Sequence, residues 1–214
     1  PNINPTQPIE PTQDQTESTE PTQEPIESIE PTKEPIICPE KPSGAVDLSN
    51  NPSSIGDYKT IYGCDLIINK RLYASKSRLM LYYCTFKSIG SIESTNKGGA
   101  IYLVLSSNSN IPKEVYEIEQ CTFEECKSPN GGATYIENTQ ITYNIQITNS
   151  KFKNNEATTQ GGAIYIKHAW MNIEECEFIN NKCKQGGDIY FIYGATKTGT
   201  NVNFTFHECL FKHE

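Results

Sequence analysis

The feature that most constrains this chain is an internal repeat. Five segments align on a Cys or Ser followed two residues later by Phe: Cys84-Thr85-Phe86, Cys121-Thr122-Phe123, Ser150-Lys151-Phe152, Cys176-Glu177-Phe178 and Cys209-Leu210-Phe211. They are spaced by 37, 29, 26 and 33 residues. A second motif follows each of the first four: Gly98-Gly99-Ala100-Ile101-Tyr102, Gly131-Gly132-Ala133-Thr134-Tyr135, Gly161-Gly162-Ala163-Ile164-Tyr165 and Gly186-Gly187-Asp188-Ile189-Tyr190. Self-similarity at this period marks stacked supersecondary units rather than a single layered core.

The flanks show what each unit is made of. Three and five residues before the Cys or Ser lie Leu81 and Leu79, Ile118 and Tyr116, Ile147 and Ile145, Ile173 and Met171, and Phe206 and Phe204. Between them fall Glu117, Gln146, Asn172 and Thr205. Alternation of period two means β-strands with one buried face. No unit of this size can bury its own apolar face, but stacked units bury a continuous one and pair their backbones from coil to coil. The expected fold is all-β, a right-handed parallel β-helix (β-solenoid) over residues 79–214. Phe86, Phe123, Phe152, Phe178 and Phe211 should be buried and stacked one per coil. Ile164 and Ile166 should point inward and Tyr165 outward, and the glycine pair suits a turn with tight backbone approach.

Length variation falls mainly after the Gly-Gly strand, in Ser106–Glu114, Glu137–Thr142, Lys167–Trp170 and Tyr193–Asn201. Insertions of this kind map to one side of a solenoid, often the binding side. Residues 42–78 lack the paired motif. Tyr62 to Ile68 reads as one further strand there, and the segment as an irregular first coil or N-terminal cap.

Residues 1–41 have a different character. Glu10-Pro11-Thr12, Glu20-Pro21-Thr22 and Glu30-Pro31-Thr32 recur in phase. Residues 1–40 hold nine acidic side chains against Lys33 alone, 1 − 9 = −8, the whole formal charge of the chain. Proline and like charges favour an extended chain, and little apolar surface is available to bury. A disordered Pro/Thr/Glu-rich stalk or linker is expected, with threonines open to O-glycosylation. The remainder is formally neutral, 17 bases against 17 acids. It has no basic stripe for phosphates, so nucleic acid is not an expected partner. The chain begins at Pro1, without a signal-peptide pattern or a bilayer-length apolar run. The repeat breaks off at Glu214. The expectation is a fragment or mature form of something larger, with further coils and with membrane attachment only through segments outside this chain.

These residues resemble a known family. F-x-x-N, intact at Phe152–Asn155 and Phe178–Asn181, combines with G-G-A-I, intact at Gly98–Ile101 and Gly161–Ile164. The combination resembles the repeats of chlamydial polymorphic outer membrane proteins and of similar surface proteins in protozoan parasites. The other copies depart: Ile89, Cys126 and Glu214 replace the Asn, Thr134 the Ile and Asp188 the Ala. The resemblance covers about residues 79–214. It implies a β-helical passenger on a cell surface, frequently an adhesin. The bacterial family's C-terminal membrane barrel is not in this chain.

Four of the eight cysteines, Cys84, Cys121, Cys176 and Cys209, occupy the inward repeat position. There Cys behaves as a small hydrophobe. In-register stacking would bring such pairs within disulfide range with both side chains pointing the same way, so reduced core thiols are expected. Cys121 with Cys126, and Cys176 with Cys183, lack a suitably spaced His pair for zinc. No metal, cofactor or catalytic residue is assigned. Tyr102, Tyr135, Tyr165 and Tyr190 should form an outward column that either self-stacks or holds a ligand. His168 and Trp170, in the shortest variable loop, are further candidate contacts. Asn203 starts the single N-glycosylation sequon. The reading is a non-enzymatic, extracellular surface protein whose side loops bind a host-cell, matrix or glycan ligand. The alternatives are a polysaccharide-active lyase or hydrolase on the same fold and a purely structural spacer.

Overall fold

A chain that alternates apolar and polar residues in runs of three to five, broken every few residues by a sharp bend, can coil only by turning its buried face continually inward. The computed structural model shows this coil. It describes residues 40, 46–47, 54–55, 59–64, 67–75, 79–93, 95–105, 116–138, 144–192 and 204–214. Apart from Glu40, the expected stalk lies outside the described residues, as do most of the variable loops and Asn203.

The described strands form parallel sheets to which each coil contributes one strand. The first sheet holds Lys59–Tyr62, Leu79–Tyr82, Tyr116–Glu119, Asn144–Thr148, Trp170–Glu174 and Phe204–His207, preceded by Val46–Asp47. The second holds Ile67–Ile68, Thr85–Lys87, Thr122–Glu124, Lys151–Lys153, Glu177–Ile179 and Leu210–Lys212. The third runs from Ser54–Ile55 through Leu72–Ser75, Ile101–Leu105, Thr134–Asn138 and Ile164–Lys167 to Ile189–Ile192. A short fourth sheet pairs Lys127–Asn130 with Glu156–Gln160. This fourth face, between the Phe motif and the Gly pair, is not apparent from the motifs. Its only inward signals are Ser128 and Ala157, both small and buried.

The register follows the motifs. Phe86, Phe123, Phe152, Phe178 and Phe211 are successive partners across the second sheet. Their rings stack at 5.0, 4.8, 5.0 and 4.9 Å between centroids, with interplanar angles of 8° or less. The first four are fully buried. Phe211 departs from the expectation of burial: it is 46% exposed, because the last described coil has a neighbour on one side only. Ile164 and Ile166 are buried as expected.

Two corners per coil are made by single non-glycine residues in the left-handed region. One precedes the Cys or Ser: Tyr83, Gln120, Asn149, Glu175 and Glu208, φ 48° to 56°. The other precedes the Asn position: Ser88, Glu125, Asn154 and Asn180, φ 52° to 56°. This conformation is costly for most L-residues and mildest for Asn. The corner is held because its amide donates to the next coil, as from Asn149 to Glu174 O at 3.0 Å and from Asn154 to Ile179 O at 2.9 Å. The third corner uses the glycine pair. Gly161 has φ 64°, and a Cβ on Gly132 would stand 2.0 Å from the carbonyl oxygen of Gly162 in the next coil. Only a backbone without side chains can stack that closely.

The solenoid begins earlier than Leu79. Lys59–Tyr62, Ile67–Ile68 and Leu72–Ser75 form a coil in register with the next, Ile68 taking the Phe position and Tyr73 the Tyr position. The stretch from Tyr62 to Ile68 is therefore not one strand. The strand ends at Tyr62, and the next begins at Ile67. The segment is thus the irregular first coil of the two readings its sequence allowed; its corner is two residues longer than the next one and its column residue is aliphatic, which hides its register.

Candidate functional site

The interior explains the motifs. The Cys or Ser side chain donates to the carbonyl two residues upstream, across the left-handed corner: Cys84 to Tyr82 O at 3.3 Å, Cys121 to Glu119 O at 3.3 Å, Ser150 to Thr148 O at 2.8 Å and Cys176 to Glu174 O at 3.2 Å. A short side chain with one donor is what the position requires, which is why Cys and Ser interchange. Among the described residues, Cys84, Cys121, Cys126, Cys176, Cys183 and Cys209 are free. Burial pushes the thiols of Cys126 and Cys176 up to about 12, leaving them protonated and unreactive in the folded state. Cys64 is disulfide-bonded. Among the described residues no group of three metal-ligating side chains converges.

The Asn of F-x-x-N has the same logic. Asn155 is buried. Its Oδ1 accepts from the Cys126 amide at 2.9 Å, and its Nδ2 donates to Phe123 O at 3.0 Å and to Asn181 Oδ1 at 2.9 Å. Asn181 Nδ2 in turn donates to Phe152 O at 3.0 Å and to Asp188 Oδ1 at 2.8 Å. Asp188, where the repeat has Ala, thus receives the last amide of the ladder. Its other oxygen lies 2.9 Å from Nε2 of His213.

The outer wall carries the candidate contacts. Tyr73, Tyr102, Tyr135, Tyr165 and Tyr190 form one column, with centroids 5.3, 5.4, 4.4 and 5.6 Å apart. The rings cover one another. Tyr135 and Tyr165 are 3% and 6% exposed, so these two have no free face to offer, whereas Tyr102 and Tyr190 are half-buried. Lys97 adds its ammonium 4.7 Å from the Tyr135 ring. Burial raises the hydroxyls of Tyr135 and Tyr165 above the ordinary phenol range. His168 sits in a left-handed turn (φ 60°), its amide bonded to Ile192 O at 3.0 Å. Trp170 is half-buried and pairs in register with Asn144. Neither side chain is brought to the tyrosine column by any described contact.

Acidic residues on outward strand positions are paired with lysines of neighbouring coils. Glu124 lies 3.0 Å from Lys87 and 3.5 Å from Lys153. Glu137 lies 2.7 Å from Lys167 and 3.3 Å from Lys97. The hydrogen bond from Lys87 holds the Glu124 carboxyl below the usual range.

A concave surface not apparent from the motifs lies at the second left-handed corner. Ser88, Glu125, Asn154 and Asn180 succeed one another there, coil upon coil, and the strands that follow add Lys127, Glu156 and Lys182. Together they line a groove with a cavity volume of about 570 Å³. The signal in the sequence was weak: a polar residue two positions after each Phe, which strand alternation would place on the inner face with the Phe and which the left-handed corner turns outward.

The fold defines a class, the parallel β-solenoids built from short in-register coils. Within it, the family model described as the Chlamydia polymorphic membrane protein repeat matches residues 149–167. That segment is most of one coil, from the Asn149 corner through Phe152 and Asn155 to the strand Ile164–Lys167. No curated protein and no solved structure matches the chain. Among the described residues no helix is long and apolar enough to cross a membrane.

Proposed function

We propose that this chain is the solenoid of a non-catalytic cell-surface protein that binds a host-cell, matrix or glycan ligand through its lateral surface, chiefly the variable loops between the third and first sheets. The observation that carries this reading is the coincidence of a polymorphic membrane protein repeat with a structural coil at residues 149–167. The division of labour in the wall supports it. The asparagine and Cys/Ser ladders occupy their own polar groups and thiols, so sequence can vary outside without disturbing the stack. The outward carboxylates Glu124 and Glu137 are each held by two lysines, which suits a structural ladder better than acid–base chemistry.

The test is binding of the full chain to host cells and to a glycan array, alongside assays for hydrolysis and elimination on polysaccharides. Saturable binding that is lost when Ser106–Glu114 and Tyr193–Asn201 are replaced by short Gly/Ser turns supports the reading. Retention of function after that replacement would favour a spacer. Turnover of a polysaccharide would establish an enzyme instead.

A further inference from the structure

We infer that the groove along the second left-handed corner is a binding cleft for an extended, neutral oligosaccharide, lying parallel to the solenoid axis with about one sugar per coil. This goes beyond the proposed function: the cleft belongs to a different corner from the variable loops and stands or falls separately.

The first argument is periodicity. Ser88, Glu125, Asn154 and Asn180 each occupy the same left-handed position in successive coils, so their side chains recur at the strand spacing of about 4.8 Å. The advance per residue of an extended pyranose chain is close to this step. An extended peptide presents same-side residues only every ~6.8 Å and falls out of phase within two coils.

The second argument is backbone satisfaction. The corner amides are already used: Ser88 N donates to Glu124 O at 2.9 Å, Glu125 N to Lys153 O at 3.0 Å, Asn154 N to Ile179 O at 2.9 Å and Asn180 N to Lys212 O at 2.9 Å. No sheet edge runs along the groove, so a peptide cannot dock by strand addition. Recognition must come from side chains, and these are short hydroxyl, amide and carboxylate groups of the kind that pair with sugar hydroxyls.

The third argument is charge. The lining holds Lys127 and Lys182 against Glu125, Glu156 and Glu214, formally 2 − 3 = −1. Lys127 is tied to Glu156 at 3.0 Å, and Glu125 accepts from the Ser88 hydroxyl at 2.7 Å. A slightly negative lining with its lysine partly neutralised does not suit a sulfated or uronic polymer. The amide of Asn154 has no partner among the described residues and is exposed at the centre of the row. Among the described residues no aromatic ring lines the groove, so affinity rests on hydrogen bonds and should be modest.

The experiment is amide-resonance NMR of the full chain titrated with a neutral glucan tetrasaccharide, with a sulfated tetrasaccharide and an extended peptide as the other arms. The neutral sugar should shift Ser88, Glu125, Asn154, Asn180 and Lys182 together. Asn154→Gly and Asn180→Gly keep the left-handed corner and remove the amide. Their combination should weaken binding about tenfold, as expected for one or two lost hydrogen bonds, with the folded spectrum unchanged except at Glu214, whose amide donates to Asn180 Oδ1 at 2.9 Å. Shifts confined to other faces, binding only of the sulfated sugar or of the peptide, or unaltered affinity in the double variant would each overturn the assignment. Loss of cell binding with this titration intact would remove the proposed function and leave the cleft standing.

Discussion

The inner surface of the second sheet and the outer surface of the third each carry an aromatic column with one ring per coil, and the two columns differ in order. The phenylalanine rings lie within 8° of parallel at every step. The tyrosine rings are tilted by 44°, 79°, 8° and 20° along theirs. Inside, each ring is surrounded by close-packed neighbours that are nearly the same from coil to coil, so one rotamer and one orientation satisfy all of them. Outside, neighbours change from coil to coil, as where Lys97 lies over Tyr135, and the rings settle individually. In-register repetition alone produces contact, and packing on all sides is what produces order.

The largest test of this contrast is truncation of equivalent rings. Phe152→Ala should cost about 3–5 kcal/mol, since both stacking neighbours are fixed and the cavity cannot collapse. Tyr165→Ala, at the same height on the outer wall, should cost about 1–2 kcal/mol, because solvent or adjacent rings fill the gap. Denaturant unfolding of both variants measures the difference. Equal losses would mean that the outer column is as tightly packed as the inner one.

The asparagine ladder gives a smaller effect of the same kind. Asn155→Ala strands the Cys126 amide, Phe123 O and part of the Asn181 amide network. The expected loss is about 2–3 kcal/mol. Asn154→Ala, one residue earlier and outside, removes no described side-chain hydrogen bond and should lose only ~1 kcal/mol from left-handed strain. Thermal denaturation of the pair of variants reads this out.

Thr134 tests the inner wall from the opposite direction. It stands in a ladder between Ile101 and Ile164, fully buried, and its hydroxyl has no hydrogen-bond partner. Thr134→Val keeps the shape and removes the unpaired group, so it should stabilise the protein by about 1 kcal/mol. A destabilised variant in the same denaturant titration would show that the hydroxyl is satisfied after all.

The smallest effect belongs to the outer charge ladders. The hydrogen bond from Lys87 depresses the Glu124 carboxyl in the folded state, against the opposing pull of burial. A depressed folded value contributes stability above the unfolded carboxylate range, near pH 4.3, and loses it as pH falls through the folded value. Glu124→Gln should therefore show a shallower loss of stability below about pH 4 than the parent protein. Because the pair is solvent-screened, the difference at neutral pH should be slight.

Much of the wall was legible from the sequence because a parallel solenoid converts linear spacing directly into vertical alignment. Once Phe152 and Phe178 share a motif position, stacking at one per coil follows. The coil from Lys59 to Ser75 was legible only as an irregular first coil or cap, without its register, because Ile68 and Leu72 hold the right places with the wrong letters. The groove escaped because its residues are neither apolar nor invariant in type. They share a backbone conformation, and φ leaves little trace in sequence except where Asn occupies the corner.

By itself, then, the sequence determined which residues form the inner face and in what register coils stack, because strand alternation and motif spacing are local, one-dimensional properties. Only the tertiary structure decided what the outer wall presents. The closing of Tyr135 and Tyr165 against each other, the pairing of Glu137 with two lysines from flanking coils and the polar cleft at the corner depend on neighbours about 25 to 40 residues away in the chain, and the use of Asp188 to receive the last asparagine amide depends on a turn of the chain that brings it back to Asn181. Those contacts are set by the exact height and turn of each coil, quantities that exist only once the strands have stacked.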